Sequence, residues 1–269
     1  MVLGGYGGLT RPKAVRLWPH EKRIPSRPLP PEDVPSWLKH LSASTEPSPR
    51  VAVLRTDDNF AAAEWSLELA RAAKERDLVV GLFFDVAVTD SLLQWYRAYA
   101  SFVVVEISDR MDRCSSAAEP LLETVAAASE LGYWVELATP IGGAAFPAGE
   151  SLRMLAERVS RITPDIVWNL VAWPPDPDAR PWQATLAIRN AMLSLAKEIR
   201  AGGLTYVYAV GMMGMVGDLE QLHCPACGSY IIDRSGDVLQ YAVPYGVCEG
   251  CGYRVPGIWE SEPPSKFCC

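Results

Sequence analysis

From Val51 onward the chain alternates short apolar runs with longer stretches in which apolar residues recur at helical spacing. The runs Val51–Leu54, Val79–Phe84, Phe102–Ile107, Tyr133–Ala138, Ile166–Val171 and Tyr206–Val210 are mostly rich in β-branched and aromatic residues and predict strands. Between them Phe60–Arg76, Ser91–Tyr99, Ala117–Leu131, Ser151–Ile162 and Pro181–Ala201 carry Ala, Leu, Glu and Arg in patterns that predict helices. Such alternation implies a parallel sheet wrapped by helices, because each crossover must return the chain to the same sheet end. The predicted class is α/β, an open or partial (β/α) barrel. Ligands of such folds sit at the carboxyl ends of the strands. That rule singles out Arg55 to Asn59, Asp85, Ser108-Asp109, Thr139-Pro140, Trp173 to Asp176 and Gly211 to Gly217. Each also has a plain structural role open to it: Asp58 and Asn59 as helix caps, the glycines as relief of backbone sterics.

The pattern fails on both sides of this region. Residues 1–50 are proline-rich and aperiodic, with Pro25, Pro28, Pro30, Pro31 and Pro35 leading into a short helix at Trp37-Leu38. Beyond Val210, Tyr230–Ile232 and Val238–Tyr241 are β-prone runs around Asp233–Asp237, which predicts a hairpin. The expected organisation is a basic N-terminal arm docking on the barrel (1–50), the partial barrel (51–217), a ribbon (218–262) and a tail (263–269).

Composition narrows the setting. Of 269 residues 49% are hydrophobic and 21% charged, and the formal net charge is −7. No apolar run approaches the ~18 residues of a membrane span, so no membrane partner is expected. The first residues lack a signal-peptide layout, and four of the seven cysteines sit in metal-type spacing, which predicts a reducing, cytoplasmic location. The acidic balance opposes nucleic-acid binding, which needs basic patches. Arg11, Lys13, Arg16, Lys22, Arg23 and Arg27 make the arm the one local exception.

The sharpest chemical signal is cysteine spacing. Cys224/Cys227 and Cys248/Cys251 form two CxxC knuckles separated by twenty residues, each followed by Gly228 or Gly252. A knuckle turns two thiolates onto one ion, its glycine gives it room to approach, and two knuckles complete a tetrahedral site. The expected cofactor is one structural zinc; a redox dithiol pair or an iron–sulfur centre uses the same ligands. His223 is expected as a neighbour and not a ligand. The hairpin has little core of its own, which predicts a modular ribbon stapled by its metal. Cys114 reads as buried filler and Cys268-Cys269 as a flexible tail. The loops Gly142–Pro147 and Gly211–Gly217 lack the Gly-Lys-Ser/Thr of a phosphate loop; the methionines of the second suit a partner contact or packing on its own barrel.

The order of these parts resembles the radical S-adenosylmethionine protein of the AmmeMemoRadiSam system, a relative of pyruvate formate-lyase-activating enzymes. The resemblance rests on Leu204–Tyr208, HCPACG, a short hairpin, CEGCG and VPGIWE, and less specifically on Asp57-Asp58-Asn59, Trp65, Trp134–Leu137, Trp168-Asn169 and Pro175-Asp176. It implies a barrel that holds a four-iron cluster through CxxxCxxC. With Trp18 set against the tryptophan that follows that motif, the cluster positions fall on Gly8, Pro12 and Val15, and none offers a ligand. The family's Asn-Glu-Pro is replaced by Asp57-Asp58-Asn59, and its second glycine-rich strand by Phe83-Phe84-Asp85. The implied function is therefore a catalytically degenerate, zinc-containing binding or accessory subunit with a protein partner, without an iron–sulfur cluster and without assigned catalytic residues. One alternative is an enzyme using acids such as Asp57, Asp58, Glu106, Asp109, Glu136 or Asp176, or a partner-supplied cluster. Another is a zinc-ribbon adaptor that binds nucleic acid or a ribonucleoprotein through the arm.

Overall fold

The computed structural model describes residues 51–55, 67–75 apart from 69, 78–107, 115–142, 148–172, 181–233 apart from 213, 240–241 and 246–259. The arm with its Trp37-Leu38 helix, Asp57 to Asn59, Asp109, Cys114, Trp173 to Asp176 and the tail lie outside them.

Six strands, β1 (Val51–Arg55), β2 (Val79–Phe84), β3 (Ala100–Glu106), β4 (Trp134–Ile141), β5 (Val167–Ala172) and β6 (Tyr206–Val210), form one sheet in sequential order. Every neighbouring pair is parallel. Sequential parallel order without a switch point is the winding of a barrel segment, and the fold is a partial (β/α) barrel, as the sequence predicts. Four helices follow their strands: α1 (Asp90–Tyr96), α2 (Ser115–Glu130), α3 (Gly149–Ile162) and α4 (Pro181–Ala201). Residues 67–68 and 70–74 are also helical, inside the stretch expected from Phe60 to Arg76. In α3, Leu152, Leu155, Ala156 and Val159 make the buried stripe, the spacing that lets one helical face cover a sheet.

Each strand divides its side chains between two buried faces. Val80, Leu82, Phe84, Val103, Val105, Val135, Leu137, Trp168, Leu170, Val207 and Ala209 meet the helices. The opposite, concave face carries Phe83, Phe102, Val104, Ala138 and Val171 in one cluster and Val167, Tyr206 and Tyr208 in another. Burial on both faces is why these strands read as unbroken apolar runs. Gly81 pairs with Phe102, and a methyl group there would lie 2.0 Å from the Phe102 ring. The glycine is the floor on which that ring rests.

One expectation fails locally. Thr139-Pro140 does not form a strand-end loop, because β4 continues to Ile141 and Pro140 pairs with Val171. Thr139 is fully buried and its hydroxyl accepts from Trp168 Nε1 at 2.9 Å, which anchors the extension.

After β6 the chain turns through Gly211 to Val216 into a 3₁₀ turn, Gly217–Glu220. The Glu220 carboxylate accepts from Gly214 N at 2.9 Å and Val216 N at 3.2 Å, and Met212, Val216 and Leu219 are buried on the barrel core. Met212 and Val216 take the packing role that the sequence leaves open to this loop, whereas Met215 is exposed. A second, antiparallel sheet follows: β7 (Gln221–His223), β8 (Tyr230–Asp233) and β9 (Gln240–Tyr241), of which β7 was not legible as a strand.

The ribbon is not a self-contained module. Its Leu222, Ile231, Ile232, Val255, Cys224 and Cys248 share one buried cluster with Val167, Tyr206 and Tyr208 of the concave face. Ile258 packs on the neighbouring cluster of Phe83, Phe102, Val104, Ala138 and Val171. A hairpin with little core of its own thus borrows the inside of the barrel.

Candidate functional site

The two knuckles fold as copies of one turn. In the first, Cys224 N donates to Ser229 O at 2.7 Å and Gly228 N donates to Cys224 O at 2.8 Å. In the second, Cys248 N donates to Tyr253 O at 2.9 Å and Gly252 N donates to Cys248 O at 2.7 Å. Closing that loop puts Gly228 at φ 75° and Gly252 at φ 74°, a left-handed conformation that side-chain-bearing residues adopt at a cost. Nothing lies within 4 Å of a methyl group added at either position. These glycines are therefore required for backbone conformation and not, as expected from sequence, for room.

All four thiol sulfurs lie within 4.8 Å of one another. Cys224 Sγ is 3.6 Å from Cys251 Sγ, and Cys227 Sγ is 3.6 Å from Cys248 Sγ, so each knuckle contributes one sulfur to each close pair. A tetrahedral ion with metal–sulfur bonds of about 2.3 Å needs sulfurs about 3.8 Å apart, and this set fits such an ion. Cys224 and Cys248 are buried against the concave face, whereas Cys227 and Cys251 face outward. The site thus has one side fixed in the core and one side open to solvent.

The surrounding groups differentiate the thiols. Ser229 favours the Cys227 thiolate, first through its hydroxyl 3.2 Å away and then through its backbone, and brings that thiol to about 6. For Cys251 the backbone of Tyr253 favours the thiolate, but the neighbouring thiols and burial outweigh it and push the group up to about 12. Metal binding to this set releases protons, since every ligand must be a thiolate. His223, next in sequence to Cys224, is exposed, packed edge-on to Tyr230 with ring centroids 6.0 Å apart, and outside the four-sulfur group.

A second constellation lies within the sheet. Glu136 of β4 and Asn169 of β5 are both fully buried, in the concave-face phase of their strands. Trp134 Nε1 donates to Glu136 Oε1 at 3.0 Å, and Asn169 Nδ2 donates to Glu136 Oε2 at 3.0 Å. Asn169 Oδ1 is buried and has no hydrogen-bond partner among the described residues. The register aligns Glu106, Ala138, Asn169 and Tyr208 in one row across β3 to β6. Of the acids considered from sequence, Glu106 ends its strand, whereas Glu136 sits inside β4, because that strand runs on to Ile141. The pairing of Glu136 with Asn169, and the parts taken by Ser229 and Tyr253 in the knuckles, were not foreseen. Strand phase was the available signal, since the predicted runs place both polar residues on the same face.

No protein-family model matches the chain. An uncharacterized protein of Methanocaldococcus jannaschii is 28% identical over 158 residues, covering 53% of this chain and 43% of the relative, so the chain spans less than half of that curated relative's length. Among solved structures, a domain of the pyruvate-formate lyase-activating enzyme from Bacteroides vulgatus is similar at TM-score 0.41 and 8% identity, covering 59% of this chain and 98% of that one. The HMG-CoA lyase from Brucella melitensis is similar at TM-score 0.44 and 14% identity over 76% of this chain and 80% of that one. The 3-dehydroquinate dehydratase from Enterococcus faecalis is similar at TM-score 0.43 and 13% identity over 69% and 76%. Among the described residues no helix is long and apolar enough to cross a membrane.

Proposed function

We propose that this chain is a zinc-ribbon protein on a catalytically degenerate, radical-SAM-like barrel, serving as a binding or accessory subunit for a protein partner in the cytoplasm. The observation that carries the reading is the four-sulfur group of Cys224, Cys227, Cys248 and Cys251, all within 4.8 Å. A closed four-thiolate set keeps no position open for substrate or water, which favours a structural zinc over a catalytic metal. Reductive cleavage of S-adenosylmethionine needs an iron with a free position, and with Trp18 set against the tryptophan of the family that the chain resembles, the cluster positions fall on Gly8, Pro12 and Val15. The ribbon thiols do not substitute for them: they follow the last barrel strand and are committed to one another by geometry.

The test is deoxyadenosine formation after anaerobic reconstitution and reduction, first with the isolated chain and then with its co-purifying proteins. The proposal expects none from the isolated chain. Deoxyadenosine from the isolated chain contradicts it, and deoxyadenosine only with a partner makes the chain the accessory half of a split enzyme.

A further inference from the structure

We infer that the cleft between β6 and β7 docks an extended, acidic segment of a partner protein, which adds a strand at the open flank of the partial barrel. This rests on the accessory-subunit reading and names its contact surface; the test below involves no S-adenosylmethionine, so either can fail alone. Among the described residues β6 ends the six-stranded sheet and β7 ends the three-stranded one, and the two do not pair with each other. Between them lies a cleft of about 400 Å³. Buried Tyr208 and Leu222 line its floor, and Thr205, Gln221 and His223 line it from the two strands. End strands on both sides of one gap suit an extended chain, whose backbone donors and acceptors match theirs. A side chain already serves a carbonyl here: Arg200 Nη2, from the end of α4, donates to Val207 O at 3.1 Å.

The flank of α4 beside this cleft fits the same partner. At 3.6 residues per turn Leu186, Arg189, Leu193 and Arg200 fall within an arc of about 60°. The other side of the helix meets α3, where Leu195 and Glu198 lie against Gly149 and Glu198 faces Arg153 at 3.9 Å. The stripe therefore points away from the other barrel helices. Leu186 and Leu193 are 42% and 38% exposed, and Arg189 Nε donates to Met215 O at 2.8 Å, which ties another exposed apolar residue to the stripe. Among the described residues neither Arg189 nor Arg200 has a carboxylate partner, and Asp218 is the one carboxylate lining the cleft. A second copy of this chain, paired symmetrically, would set these arginines against themselves, whereas an acidic strand compensates them.

The test uses the full metal-loaded chain and three synthetic peptides: acetyl-Glu-Val-Thr-Val-Glu-Val-amide, the same peptide with Lys at both Glu positions, and a backbone N-methylated form of the first, which loses its strand donors. The reporters are the backbone amide resonances of Thr205 to Ala209 and of Gln221 to His223. A saturable shift with the Glu peptide is expected, with binding about tenfold weaker for the Lys peptide, no shift with the N-methylated form, and the preference reversed in Arg200→Glu. Equal binding of the Glu and Lys peptides, an undiminished response to the N-methylated form, shifts confined to other residues, or no binding overturns the proposal. A concentration-dependent dimer in analytical ultracentrifugation, with the same amides shifted, gives the flank to a second copy and overturns it too. If Arg200→Glu does not fold, the three peptides on the unmodified chain decide alone.

Discussion

The Tyr206 hydroxyl lies 3.4 Å from the Tyr253 hydroxyl, a pair that spans the seam between the last barrel strand and the second knuckle. Around it the ribbon's apolar residues and the inner side chains of β5 and β6 form a single cluster, which also takes in Cys224 and Cys248. The four-cysteine site thus shares its buried side with the lining of the barrel.

Metal removal should therefore reach beyond the ribbon. Stripping the protein with a chelator is expected to raise amide exchange in residues 221–259 and also in β5 and β6, whose concave side chains lose their cover. Hydrogen exchange by mass spectrometry checks this, and protection loss confined to residues 221–259 contradicts the shared core.

Alkaline pH should destabilise the fold. Burial first, and the hydrogen bond to Tyr253 second, push the Tyr206 phenol well above the ordinary tyrosine range; burial likewise raises Tyr133, whose hydroxyl donates to Leu93 O at 2.6 Å. From about pH 10 the unfolded chain gives up these protons while the folded chain keeps them, so the unfolded state binds fewer and stability falls as pH rises. Urea unfolding across that range should show the fall in the unmodified chain and a shallower one in a Tyr133→Phe, Tyr206→Phe variant.

Glycine positions separate two physical effects. Gly252→Ala should cost about 1–2 kcal/mol, the penalty of a left-handed backbone, because there is open space around the added methyl. Gly81→Ala should cost about 1–3 kcal/mol for a different reason, overpacking against the Phe102 ring. Combining the second change with Phe102→Leu should recover part of the loss, whereas Gly252→Ala should be insensitive to it. Denaturant midpoints of the single and double variants measure both.

Much of this architecture was legible in the sequence because its signals are local. Six apolar runs alternating with amphipathic stretches gave the parallel barrel, with β2, β6 and α4 matching their predicted bounds, and the knuckle spacing brought four cysteines into one candidate site. What escaped depends on long-range contacts. Thr139-Pro140 read as residues just past a strand end, yet the pairing of Pro140 with Val171 and the Trp168–Thr139 bond hold both within β4. The knuckle glycines could be located from spacing, but their left-handed backbone appeared only in the folded turn. Nothing local marked the ribbon's reliance on Tyr206 and Tyr208, because those residues are half a barrel face until the ribbon covers them.

The most direct test of the account is X-ray absorption at the metal, with elemental analysis, on protein purified under anaerobic conditions. The account predicts about one zinc per chain with four sulfur neighbours at about 2.3 Å. Stoichiometric iron, or zinc with nitrogen or oxygen among its nearest neighbours, would contradict it.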